Sequence, residues 1–212
     1  MQAASPLTAW LRGYGRGMDL RAWIQDAHHD LRPRLVDAVL HRVPRDEWTV
    51  QADGGGSSIT WLVLHLTRHH DLALQTAVRN RTPRFAAHAE ALGLTAVRAG
   101  AALASAGLTE REDREVSLAV QPDALVAYLD DVLEATARWL HRLSGMALDT
   151  TPDTERRLTE LAGLDPDEVG WLIRMWHGRT VSWLVQWPML GHVSAHTGEA
   201  VSVRNRLGHS PF

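Results

Sequence analysis

Residues 122–143 read Pro-Asp-Ala-Leu-Val-Ala-Tyr-Leu-Asp-Asp-Val-Leu-Glu-Ala-Thr-Ala-Arg-Trp-Leu-His-Arg-Leu. Leu125, Tyr128, Leu129, Val132, Leu133, Thr136, Trp139 and Leu140 recur at three- and four-residue steps, which gathers them on one side of a helix. Pro122 and Asp123 suit its first turn, where the N–H that proline lacks would have no partner. Working outward, three more stretches carry the same signature. In about 19–42, Leu20, Trp23, Ile24, Ala27, Leu31, Leu35 and Val39 form an apolar face that Pro33 interrupts. After the loop signal Asp53-Gly54-Gly55-Gly56, Ser57 or Ser58 offers an N-cap for a helix that ends before Pro83. From about Thr180 a last helix runs to Leu207, with Gly208 as its cap and Pro188 as a kink or second start. A shorter helical stretch begins at Asp165-Pro166 and breaks near His177-Gly178. Residues 84–120 are Ala-rich and charged, and read either as a crossing helix or as a connection. No run alternates apolar and polar residues convincingly at period two. The pattern therefore predicts an all-α bundle of long helices.

Composition narrows the chemistry. The 212 residues include no cysteine, which excludes disulfides, thiolate metal sites and a cysteine nucleophile. A metal would need His, Asp or Glu. All 22 basic residues are arginine, so lysine chemistry such as a Schiff base is excluded too, and a GC-rich bacterial genome is indicated. The net charge of −3 carries no basic stripe, which argues against a nucleic-acid partner. No signal pattern and no run of about 18 apolar residues is found, so no membrane partner and a cytoplasmic location are expected. Residues 1–17, with Gly13, Gly15 and Gly17, read as a flexible N-terminal segment, and 18–212 as one helical domain.

Of the twelve histidines, two pairs stand four apart: His65/His69 and His192/His196. One helical turn aims two such imidazoles at one point. Chance alone supplies roughly 0.7 such pairs, so spacing leaves two readings open, a metal centre or satisfied core and surface histidines. Context favours the metal. His65 lies in Trp-Leu-Val-Leu-His-Leu, where an unpaired imidazole would be costly. Gly191, Ala195 and Gly198 leave room around His192 and His196. Glu199 shares their face, three residues beyond His196, and suits either a ligand or a carboxylate that orients an imidazole.

The segment Ser58-Ile-Thr-Trp-Leu-Val-Leu-His65-Leu, the run Gly191-His-Val-Ser-Ala-His-Thr-Gly-Glu199 and the closing Arg-Asn-Arg-Leu-Gly208 resemble the DinB superfamily, which includes DinB/YfiT-like metalloenzymes and mycothiol-dependent maleylpyruvate isomerases. The likeness spans about 19–208. It implies an up-down-down-up four-helix bundle with a metal triad, which by position is His65, His192 and His196. It also implies a divalent metal (zinc first, nickel or iron as alternatives), thiol-dependent isomerisation or group transfer, and a homodimer. The chain departs from the simplest pattern in its 84–120 insertion and in the stretch from Trp171 to Trp187, so the substrate is not carried over.

Other residues are read more plainly. His69, flanked by Arg68 and His70, is expected in solvent, with a fourth ligand or proton carrier as the sharper alternative. Asp26, His28, His29 and Asp30 read as a solvated face. Most of the nine tryptophans read as core, with one or two of Trp61, Trp183 and Trp187 lining a pocket. Arg174 and Arg204 are candidate cofactor-binding residues, and Arg179 a further anion holder, against the plainer reading of surface arginines. The functional expectation is a metal-dependent enzyme acting on a small molecule, with mycothiol as cosubstrate in a transferase or isomerase. The alternatives are a metal-dependent hydrolase with Glu199 as catalytic base, and a non-catalytic binding or stress-response module.

Overall fold

A computed structural model of the chain describes residues 19–94 and 110–212; the expected flexible segment 1–17 lies outside them. Helix α1, Leu20–His29, is capped by Asp19, whose carboxylate accepts from the N–H of Arg21 at 3.0 Å. It passes through Asp30 into α2, Leu31–Leu35, and a π-helical turn, Val36–Leu40. The break at Asp30 places Pro33 in the first turn of α2, where a missing N–H costs little. The buried side of this run passes through Ile24, His28, Leu31 and Leu35. Leu20 and Trp23, expected on the apolar face, are exposed; Trp23 stands one residue, about 100° around the helix, from Ile24.

Helix α3, Ile59–Asp71, begins at Ser58, whose hydroxyl accepts from the N–H of Trp61 at 3.1 Å. It continues as a π turn, Leu72–Val78. Every residue of α3 is buried, including Arg68, His69, His70 and Asp71. A single turn, α4 (Phe85–His88), and helix α5 (Glu110–Ala119) follow, so the described parts of the 84–120 segment hold two helical pieces, with turns at 89–93. Helix α6, Pro122–His141, has Pro122 at its first turn, as its sequence indicates. Three short helices, α7 (Gly145–Leu148), α8 (Thr154–Glu160) and α9 (Pro166–Trp176), lead to the last run. That run comprises α10 (Val181–Leu184), a π turn (Val185–Gly191) and α11 (His192–Arg206). Pro188 sits inside the π turn, and Gly208 closes the run at φ +89°.

Contacts at the ends orient the runs. Arg32 pairs with Asp130 at 2.7 Å, and Gln25 donates to the carbonyl of Leu140 at 3.2 Å, so the first run and α6 pass in opposite directions. The start of α3 meets the connection that follows the first run, where the N–H of Thr60 donates to the Trp48 carbonyl at 2.9 Å. The end of α11 returns to that same end, with Arg206 on Asp53 at 2.8 Å and His209 on Glu47 at 2.8 Å. Thus α3 lies between α6 and α11, and the first run closes the bundle on the other side. The protein is all-helical among its described residues, and none of those helices is long and apolar enough to cross a membrane.

Burying α3 on all sides commits its polar residues to partners. Asp71 is 0% exposed and accepts from the backbone N–H of Phe85 (2.9 Å) and Arg84 (3.1 Å) and from the hydroxyl of Tyr128 (2.8 Å). Arg68, also buried, lies over the Phe85 ring with Nη1 3.9 Å from the Asp71 carboxylate. Burial nevertheless raises the Asp71 pKa, against the lowering by Arg68 and these hydrogen bonds. His70 donates to or accepts from the Thr136 hydroxyl at 2.8 Å.

Candidate metal centre

Two elements build the site. Helix α3 presents His65, and α11 presents His192 and His196 one turn apart; α3 and α11 pack directly together. One ring nitrogen from each of the three residues lies within 4.8 Å of those offered by the other two. His192 Nε2 and His196 Nε2 are 3.2 Å apart. Two ligands of a tetrahedral ion with bonds of 2.0–2.1 Å are separated by roughly 3.3 Å, so this pair is spaced as ligands are. The ring of His65 meets those of His192 and His196 with centroids 5.0 and 4.8 Å away. The triad expected from the motifs is therefore brought to one point, from positions more than a hundred residues apart in the chain.

The hydrogen bonds fit a metal as well. His196 Nδ1 lies 2.9 Å from the Glu199 carboxylate. A carboxylate accepts, so Nδ1 carries the proton and Nε2 keeps its lone pair toward the centre. His192 Nδ1 is buried without a hydrogen-bond partner among the described residues. Burial, helped by the neighbouring His65 and His196, lowers the His192 pKa to about 3, which keeps the ring neutral, the form that ligates. His65 is buried, whereas the His196 side chain is 25% exposed and Glu199 48%, so the centre opens on the α11 side.

Aromatic rings surround the triad. Trp61 stacks on His65 (centroids 5.7 Å, 25°). Trp187 meets His192 edge-on at 6.0 Å. His69 is not solvated as its polar neighbours suggest: it is 4% exposed, with its ring 4.5 Å from both His65 and His192 and Trp171 stacked near it at 6.2 Å. The reason is that α3 has no solvent face. His28 likewise leaves the expected solvated face, being buried with its pKa lowered to about 4 by burial first and by His29 second.

The candidate anion-holding arginines lie on α9 (Arg174), between α9 and α10 (Arg179) and on α11 (Arg204). Arg204 is buried, not on the surface; its guanidinium donates to the Ala38 carbonyl and to Asn205 (2.7 Å), tying the last run to the first. Arg174 is exposed on α9 with its guanidinium over Gly170, and Arg179 lies over the Trp183 ring at 4.9 Å. The spacing of arginines carries no signal of these partners.

Comparison with known proteins concerns the chain's sequence and fold. Among curated proteins there is no significant match. A solved structure of a conserved protein from Enterococcus faecalis superposes with a TM-score of 0.65 at 18% identity, covering 92% of this chain and 100% of that one. At that identity the likeness is one of fold. The sequence model of the DinB superfamily matches residues 28–200, a span that contains all three histidines of the triad. With most of its length matched and the triad assembled between the second and last helical runs, the chain belongs to the DinB superfamily.

Proposed function

We propose that the protein is a metal-dependent enzyme that acts on a small molecule, with His65, His192 and His196 holding one divalent ion, zinc in the first instance. The observation that carries this reading is the convergence of three imidazoles on a point that is buried on the α3 side and open beside His196. An ion there would supply Lewis acidity, polarising a carbonyl or lowering the pKa of a thiol or water. The protein's own part is positioning. Glu199 fixes the tautomer of His196, Trp61 and Trp187 flank the rings of His65 and His192, and burial keeps His192 neutral.

Between the two enzymatic versions, thiol-dependent transfer or isomerisation is favoured over hydrolysis. Hydrolysis calls for a base free to take a proton from water, and the Glu199 carboxylate is turned to Nδ1 of its histidine neighbour. A thiol, with a pKa of about 8.5 against about 15.7 for water, would give up its proton to solvent more readily when held by an ion, and a chain with no cysteine must take its thiol from outside. Mycothiol is the cosubstrate we propose, as the thiol of high-GC bacteria.

The test is direct. Protein purified without a histidine tag should bind one zinc per chain, and zinc-loaded protein should turn over thiol conjugates in a screen that includes ester and amide substrates as controls. A His196→Ala variant with full metal content and full activity would remove the reading.

A further inference from the structure

The large apolar side chains left in solvent are scattered over the described surface, but one of them adjoins the histidine triad. Trp187 is 41% exposed and meets the ring of His192 at 6.0 Å. Its placement is built into the backbone. Gly191 has no side chain, and a Cβ there would stand 3.0 Å from Cε3 of the Trp187 indole. The indole therefore lies against bare backbone at the end of the π turn, a close approach that glycine permits and any larger residue would disturb. On the neighbouring rings, Trp171 stacks against His69, and His69 stacks on His192 with centroids 4.5 Å apart. The Trp171 indole N–H is shielded from solvent and has no hydrogen-bond partner among the described residues. Two tryptophans from separate elements, α9 and the π turn, thus flank the His69–His192 pair.

His192 and His196 are the part-exposed members of the triad, and Trp187 stands beside His192, so its ring lies next to the solvent-facing side of the centre. Aromatic surfaces beside a metal favour a planar, weakly polar group, since ring stacking adds to the area buried. We propose that Trp187 and Trp171 form a seat for the planar apolar part of the substrate, so the preferred substrates carry an aromatic or conjugated group next to the atom that meets the metal. This rests on the metal-centre reading above, and deepens it by naming the substrate class.

Two metal-directed probes separate the inference from its premise. Acetohydroxamic acid offers the metal-binding group with a methyl; benzohydroxamic acid offers the same group with a phenyl ring. Titrated calorimetrically into the zinc-loaded full chain, the phenyl probe should bind about tenfold more tightly, the effect expected of one good aromatic contact. In Trp187→Ala the ratio of the two affinities should fall to twofold or less. Gly191→Ala should reduce it in the same direction, and Trp187→Phe should retain most of it. Circular dichroism and thermal melting confirm that each variant is folded. The seat is overturned if Trp187→Ala keeps the full phenyl advantage, or if both probes weaken equally. If zinc does not load, or neither probe binds the zinc-loaded wild type, the metal-centre reading itself fails and the seat with it.

Discussion

Glu199 holds His196 by a 2.9 Å contact between its carboxylate and Nδ1, three residues and one helical turn apart, while Nε2 of the same ring faces His192 at 3.2 Å. One imidazole is thus gripped on its far side and left open on its near side. Carboxylates placed in this way orient metal-binding imidazoles and raise their basicity.

The first prediction follows from that grip. Glu199→Gln and Glu199→Ala should bind zinc about 10–100-fold more weakly than the wild type, measured by competition with a chromophoric chelator. Both should remain folded, because Glu199 is about half exposed. Unchanged affinity in both variants would show that the carboxylate plays no part in holding the ring.

The buried Asp71 supports a second. It receives two backbone N–H groups and the Tyr128 hydroxyl, beside a buried Arg68. Asp71→Asn would leave the arginine charge without its counter-ion and should cost about 3–5 kcal/mol in urea unfolding. Tyr128→Phe removes one donor and should cost about 1–2 kcal/mol. A loss below about 1 kcal/mol in Asp71→Asn would mean that Arg68 is stabilised by other means.

His28 gives the third, in metal-free protein. Unfolded, it takes up a proton as the pH falls below 6.5; folded, it resists until about 4. The unfolded chain binds more protons across that window, so stability falls on acidification from 6.5 to 4 and is restored above 6.5. The full share of this one group is about 3 kcal/mol. His28→Leu should flatten the stability–pH curve between these limits, read from urea midpoints at a series of pH values. An unaltered slope would show that His28 is not held neutral.

Arg204 gives the fourth. Its guanidinium serves the Ala38 carbonyl and Asn205. Arg204→Ala should cost about 2 kcal/mol of stability, the scale of a buried carbonyl losing its donor. Zinc affinity should not change. A variant of normal stability that fails to bind a substrate would return Arg204 to the role of cofactor-binding residue that its sequence position first suggested.

These residues also show what a sequence reveals. Helix starts were legible because capping is local: Asp19, Ser58, Pro122 and Asp165 announce themselves within a turn. The shared face of His192 and His196 was legible because i,i+4 spacing fixes it, and the Glu199 contact because i+3 does the same, whereas the joining of His65 to that pair was implied by the family resemblance alone. Burial of His69 was not. Arg68 and His70 beside it suggest water, and only the packing of other helices around the whole of α3 reverses that. Arg204 was hidden for a similar reason, since its acceptor lies 166 positions away. Trp187 was grouped with Trp61 and Trp183 as a pocket-lining candidate, but no local pattern tells which of the three is left in solvent.

The π turn at Val185–Gly191 has a consequence for how such a centre arises and can be rebuilt. A wide turn holds one residue more than the α-helix needs, so everything after it is rotated by about 100° relative to everything before. His192 begins directly after it. Deleting one residue from 185–191 would restore ordinary winding and swing both α11 histidines away from His65, while leaving every side chain of the triad in the sequence. The direction in which the protein aims its ligands is therefore set by a single inserted residue upstream, a lever that acts without touching the ligands themselves.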